Sequence, residues 1–271
     1  MMSPMPTLRR RDSNANSKRR TIIGLTVAAL VLVLVGAGVF YDKQRATTAD
    51  GEYESTFQAP TPEPPAAAGT FEMPADPRLL ILGDSYTEGY AADPLSNGYA
   101  YTVTKQLGWP SQVDGIGDSG FTWGGGPDGN GGNDYLSRIN RRAEAGGFAP
   151  NILLLQGGQS DYRAESTEVY DKVRQTIDAA RAAWPDVQVI ILGPSQPQPG
   201  GNLLDRVATP MGQAALSTGA AFINPIAQRW LTEQNSEGYS AADGTQLNTE
   251  GHVYMASRLI TALGWIGVPI V

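Results

Sequence analysis

Ser85 follows an unbroken aliphatic run, Leu79-Leu80-Ile81-Leu82, and is reached through Gly83-Asp84, so a hydroxyl able to act as a nucleophile stands where a buried strand has to end. A serine attacks an ester only if a base takes its proton and if donors hold the oxygen that becomes negative. The chain is sparing with bases: among 271 residues it has one histidine, His252, and no cysteine. Every imidazole mechanism therefore passes through His252. No histidine or thiolate cluster can hold a metal, and neither disulfides nor a cysteine nucleophile can form. Nothing in the pattern calls for a cofactor. A carboxylate, Asp243, with Gly244-Thr245-Gln246 behind it, lies near the far end, ahead of the capping pair Asn248-Thr249 and an apolar last segment.

The elements that must position these groups alternate apolar strands with amphipathic stretches, the pattern of an α/β parallel sheet. After the strand at 79–83 a helix is predicted over Tyr99 to Leu107, then a weak strand from Ser111 to Ile116. A glycine-rich loop, Gly124 to Gly132, reads either as a surface excursion or as a cover over the functional face. A helix follows from Asp134 to Ala145, with Arg138, Arg141 and Arg142 expected on its exposed side. Asn151 to Gln156 is the strongest buried strand and runs into Gly157-Gly158-Gln159-Ser160-Asp161. Val169, Val173, Ile177 and Ala180 recur at helical spacing between Glu168 and Trp184. A strand at Val187–Leu192, a helix from Leu203 to Leu216, a short strand at Ala221–Ile223 and a final helix from Glu250 to Leu263 complete the body. Open sheets of this kind take ligands at the carboxyl ends of their strands, which is where Ser85 is expected.

Gly83-Asp84-Ser85-Tyr86-Thr87 resembles the first sequence block of the SGNH/GDSL hydrolases, and Asp243-Gly244-Thr245-Gln246-Leu247-Asn248-Thr249-Glu250-Gly251 resembles their last. The resemblance implies a three-layer α/β/α sandwich with a parallel, flavodoxin-like sheet, and ester hydrolysis through an acyl-enzyme on lipids, acylated sugars or cell-wall esters. It implies that Ser85 is the nucleophile and its backbone N–H one oxyanion donor. In Ser119-Gly120-Phe121-Thr122 it selects Gly120 as the second donor, with Gly117 as the fallback. In Gly158-Gln159-Ser160-Asp161, Ser160 stands where the family has asparagine, leaving Ser160 or Gln159 as the third donor. Where the family has its histidine three residues after Asp243, this chain has Gln246, whose amide has no basic lone pair near neutral pH. The base then falls to His252, six residues on, or to a carboxylate such as Asp243. The other consequence of the resemblance is a silent domain that binds an ester, acyl or glycan ligand.

Residues 1–20 carry six Arg and Lys among polar residues and read as a basic tail. Residues 21–41 are apolar and uncharged over about the length one helix needs to cross a bilayer, and the basic residues before them place the N-terminus in the cytoplasm. That length, with no small-x-small site directly after it, favours an uncleaved anchor over a signal peptide. Residues 42–75 are rich in Ala and Pro and read as a linker, and 76–271 as the hydrolase-type body outside the membrane. A net charge of −7 argues against a nucleic-acid partner.

Overall fold

The computed structural model describes residues 71–270. The basic tail, the apolar span and the linker as far as residue 70 lie outside them, and no helix among the described residues is long and apolar enough to cross a membrane. In chain order the elements are β1 (Leu79–Gly83), α1 (Ser85–Glu88), α2 (Tyr99–Leu107), β2 (Ser111–Gly115), α3 (Tyr135–Ala145), β3 (Ile152–Gln156), α4 (Ser166–Ala183), β4 (Gln188–Leu192), α5 (Asp205–Thr218), β5 (Ala221–Ile223), α6 (Ser236–Tyr239) and α7 (Thr249–Trp265). Short 3₁₀ turns lie at Leu95–Asn97, Ser160–Arg163 and Gly200–Leu204.

The five strands form one parallel sheet in the order β2-β1-β3-β4-β5. The aliphatic strands read as continuous rather than alternating because both faces are covered. Leu79, Ile81, Ile152, Leu154, Ile190 and Leu192 turn to one face, where they pack with Tyr99 and Val103 of α2 and Met255 and Leu259 of α7. Leu80, Leu82, Leu153, Leu155, Val189 and Ile191 turn to the other, against Ile139 of α3, Val173 and Ile177 of α4 and Met211 of α5. The result is the α/β/α layering expected. From β1 the chain goes out to β2 and returns past β1 to β3, so its direction of progress reverses between β1 and β3. Open sheets with such a reversal bind their ligands there, at the carboxyl ends.

Arg138 is a correction. It was expected at the surface of α3 but is 2% exposed. Its guanidinium donates to Gly83 O at 2.9 Å, to Ser119 Oγ at 3.1 Å and to the Asp114 carboxylate at 2.7 Å, and it also reaches Asp114 O. A buried cation persists when a carboxylate and carbonyl oxygens face it in this way, and here they meet the two terminal nitrogens while Nε has no partner among the described residues. Asp114 is paired in turn with Arg142 at 2.6 Å. The two arginines therefore tie α3 to the ends of β1 and β2. The loop from Gly124 to Gly132 is folded on itself, with Gly124 N donating to Gly129 O, Gly131 N to Gly125 O and Asn133 N to Gly124 O. The Trp123 ring lies against Gly129, leaving no room for a side chain there.

Candidate active site

The serine is presented by a turn that the interior holds from below. Asp84, buried at the end of β1, caps α1 by accepting from Tyr86 N at 2.9 Å. Its other oxygen accepts from Gln156 Nε2 at 3.2 Å. Gln156 Oε1 accepts from Thr87 Oγ1 at 2.7 Å, and Thr87 Oγ1 is 2.6 Å from Tyr99 OH. A Cβ at residue 83 would collide with Thr87 and Gln156, so only glycine passes between them. Burial pushes the Asp84 carboxyl up to about 7 against these hydrogen bonds. Ser85 itself is half-buried and opens α1, leaving its backbone N–H directed out of the first turn.

On the oxyanion side, the glycine selected from sequence is not free to serve. Gly120 N donates to Trp123 O at 2.8 Å. Its lack of a side chain is explained instead by Asp161, whose carboxylate would meet a Cβ at 2.7 Å. Asp161 is fully buried and accepts from Phe121 N at 3.2 Å and from Thr122 N and Oγ1 at 2.7 Å, which binds the loop after β2 to the turn after β3. Burial raises its carboxyl above the usual range against those bonds. Gly117 takes the place beside the nucleophile: a Cβ there would lie 4.0 Å from Ser85 Cβ, and among the described residues its N–H has no partner. Ser160 begins the turn after β3, half-buried, and its hydroxyl has no hydrogen-bond partner among the described residues. Gln159, the alternative, donates from Nε2 to Ser195 O at 3.1 Å and accepts at Oε1 from Gln156 at 3.3 Å, which leaves it one N–H.

On the base side, the Ser85 hydroxyl donates to Gln246 Oε1 at 3.1 Å across 161 residues of sequence. Asp243 shapes the loop that carries Gln246. Its Oδ1 accepts from Gln246 N and Thr245 N, both at 2.9 Å, and these bonds, that from Gln246 foremost, hold the exposed carboxyl below the usual range. Tyr86, buried beside the serine, donates from its hydroxyl to Thr245 O at 2.8 Å and pins the loop to α1.

His252 is turned to other partners. It is fully buried at the start of α7, where Nδ1 accepts from Tyr99 N at 3.3 Å and Nε2 lies 2.9 Å from Tyr90 O. With Nδ1 accepting, the proton belongs on Nε2, and burial holds the imidazole below its ordinary value. Both nitrogens are spent on backbone, so it cannot serve Ser85. Sequence reading also passed over Glu88, whose Oε2 is 2.9 Å from the same Gly117 Cβ position that lies 4.0 Å from Ser85 Cβ. The signal was the three-residue spacing from Ser85, meaningful only once 85–88 is known to be helical.

Residues 81–254 match the GDSL-like Lipase/Acylhydrolase family. A GDSL lipase of Mycobacterium tuberculosis is 27% identical over 193 residues, which span 67% of this chain and 79% of that protein. A family two carbohydrate esterase from Clostridium thermocellum, solved in complex with cellohexaose, is similar at a TM-score of 0.53 and 18% identity over 72% of this chain and 66% of that one. A carbohydrate acetylesterase from Sinorhizobium meliloti gives a TM-score of 0.51 at 14% identity over 70% of this chain and 99% of that one. With a serine at the carboxyl end of β1, the strand order expected of such a fold and a family match running from β1 into α7, this chain belongs to the GDSL-like lipase/acylhydrolase family.

Proposed function

We propose that this chain is a slow serine ester hydrolase, acting on acyl esters of lipid, glycan or cell-wall type outside the membrane that its N-terminal apolar segment spans. The observation that carries the reading is the hydrogen bond from the Ser85 hydroxyl to Gln246 Oε1, which sets the nucleophile in the geometry of a catalytic pair with an amide in place of the imidazole. Gln246 orients the hydroxyl but cannot take its proton. The tetrahedral oxyanion would be held by the N–H groups of Ser85 and Gly117, with the Ser160 hydroxyl as a shorter third donor. The topology rests on six basic residues preceding one uncharged span. Carbohydrate esterases share the fold, so acetylated glycans are the first natural substrates to try.

The test is hydrolysis of p-nitrophenyl acetate by the full-length chain, with labelling by a fluorophosphonate that reacts only with an activated serine. Slow turnover and a label at Ser85, both lost in Ser85→Ala, are expected. The missing imidazole favours a second reading, a domain that binds such esters without cleaving them. Retention of an acetylated oligosaccharide with neither label nor turnover would establish that reading in place of the first.

A further inference from the structure

We infer that Glu88 is the general base for Ser85. This rests on the hydrolase reading above and names the group that reading lacks. The other candidates are committed elsewhere: both His252 nitrogens to backbone, Asp243 Oδ1 to two N–H groups of its own loop, and the two Asp84 oxygens to Tyr86 N and Gln156 Nε2. Asp243 keeps Oδ2 out of those two bonds, but of the two carboxylates it is Glu88 that lies against Gly117 beside Ser85, with neither oxygen spent. It lies three residues after Ser85 on α1, and Oε2 and Ser85 Cβ converge on one point above Gly117. The side chain is exposed and makes no hydrogen bond or ion pair among the described residues. With Oε2 2.9 Å and Ser85 Cβ 4.0 Å from the point above Gly117, the two lie within about 7 Å of each other.

The charge of the site argues for the same role. A carboxylate beside Gly117 that kept its charge would oppose the negative charge that develops on the substrate oxygen. As the base it does not, because it is neutralised in the step that creates the oxyanion. The Ser85 O–H bond breaks, its proton passes to Glu88, and Oγ bonds the carbonyl carbon while the π electrons move to oxygen. Collapse re-forms the carbonyl and expels the alkoxide, which takes the proton from Glu88. Water repeats the sequence on the acyl-enzyme, giving up its proton to Glu88. The second collapse releases the acid and returns that proton to Ser85. One negative charge is present throughout, and it moves from Glu88 to the substrate and back. Ser85 has one hydroxyl proton, so its bond to Gln246 Oε1 is given up as the hydroxyl turns to Glu88.

The experiment measures kcat/KM for p-nitrophenyl acetate with the full-length chain, placing Glu88→Gln in the natural background and in Gln246→His. We expect Glu88→Gln to lower kcat/KM by roughly 10²–10⁴-fold, the usual worth of a general base, and to slow fluorophosphonate labelling in parallel. In Gln246→His, where an imidazole takes over, the loss should be smaller by about an order of magnitude or more. Glu88→Asp should recover part of the natural rate. Natural enzyme that turns over at an unchanged rate as Glu88→Gln would overturn the assignment of Glu88 alone. An equal loss in both backgrounds would overturn it too, by assigning Glu88 to substrate binding or loop structure. Absence of both turnover and label in the natural chain would remove the hydrolase reading and this one with it.

Discussion

Ser85 is held from below by side chains that are themselves part of the core, whereas Gln246 is carried on an exposed loop that supports itself. Under the serine, Asp84, Thr87, Gln156 and Tyr99 form one buried chain of hydrogen bonds, so each member depends on the next. The loop of Gln246 takes its shape from the Asp243 carboxylate on two backbone N–H groups and from the Tyr86 hydroxyl on Thr245 O. None of these bonds uses the side chain at 246. The nucleophile half cannot change without disturbing the fold, and the base half can.

The largest test of this contrast is Gln246→His. With the loop already shaped, the imidazole should reach Ser85 with its second nitrogen toward Asp243, raising kcat/KM for p-nitrophenyl acetate by about 10²–10⁴-fold. Adding Ser160→Asn should raise it further and more than additively, since both groups serve one transition state. The melting temperature should move little, with stability changed by no more than about 0.5 kcal/mol. A gain in rate accompanied by a large loss of stability would mean that the loop does depend on its side chain.

Asp161→Asn tests the rigid half. The amide turns an N–H group toward the backbone and hydroxyl donors of Phe121 and Thr122, leaving at least one of them unpaired. Chemical denaturation should show a loss of about 1–3 kcal/mol, with slower turnover as the loop of Gly117 and Gly120 loosens. An unchanged midpoint with unchanged activity would show that the two loops hold together without the carboxylate.

How far the sequence could be read divides along the same line. Strands and helices were legible because apolar runs and helical spacing are local: Ala221–Ile223 matches β5, and Tyr99–Leu107 matches α2. Arg138 was not, because a charged residue on an amphipathic helix reads as exposed unless its acceptors are known, and these come from Gly83, Asp114 and Ser119 in other elements. Gly117 and Gly120 look alike in sequence. They are distinguished by what crowds each α-carbon, Glu88 in one case and Asp161 in the other. Ser85 and Gln246 could be paired from their motifs, whereas the engagement of both His252 nitrogens needed the packing of α7 against α2.

A smaller effect is expected of Tyr86→Phe, which removes the bond from α1 to the loop backbone at Thr245 while keeping the ring. It should cost about 1 kcal/mol and leave the Thr245 carbonyl unpaired. In the Gln246→His background it should lower kcat more than KM, since it frees the loop that aims the base. Equal kcat in the presence and absence of the hydroxyl would show that the loop's own hydrogen bonds suffice to position it.

The smallest effect is a slope. Unfolded, Asp84 ionises near its ordinary value of 3.8, and folded, near 7. Between these values the folded chain keeps a proton that the unfolded chain releases, so this residue's contribution to stability falls as pH rises through that window. Asp84→Asn still caps α1 but has no proton to lose. Urea midpoints measured across the window should therefore fall less steeply with pH in the variant, whatever its absolute stability. Identical slopes would mean that Asp84 does not titrate there.

The turn built by Asp243 also has a genetic consequence. Glutamine and histidine codons differ only in the third base, and the backbone at 246 is held without help from whichever side chain they encode. A lineage can therefore pass between amide and imidazole chemistry in a single point mutation, with a folded protein on either side of the step. The identity of residue 246 is then inherited apart from the architecture that carries it.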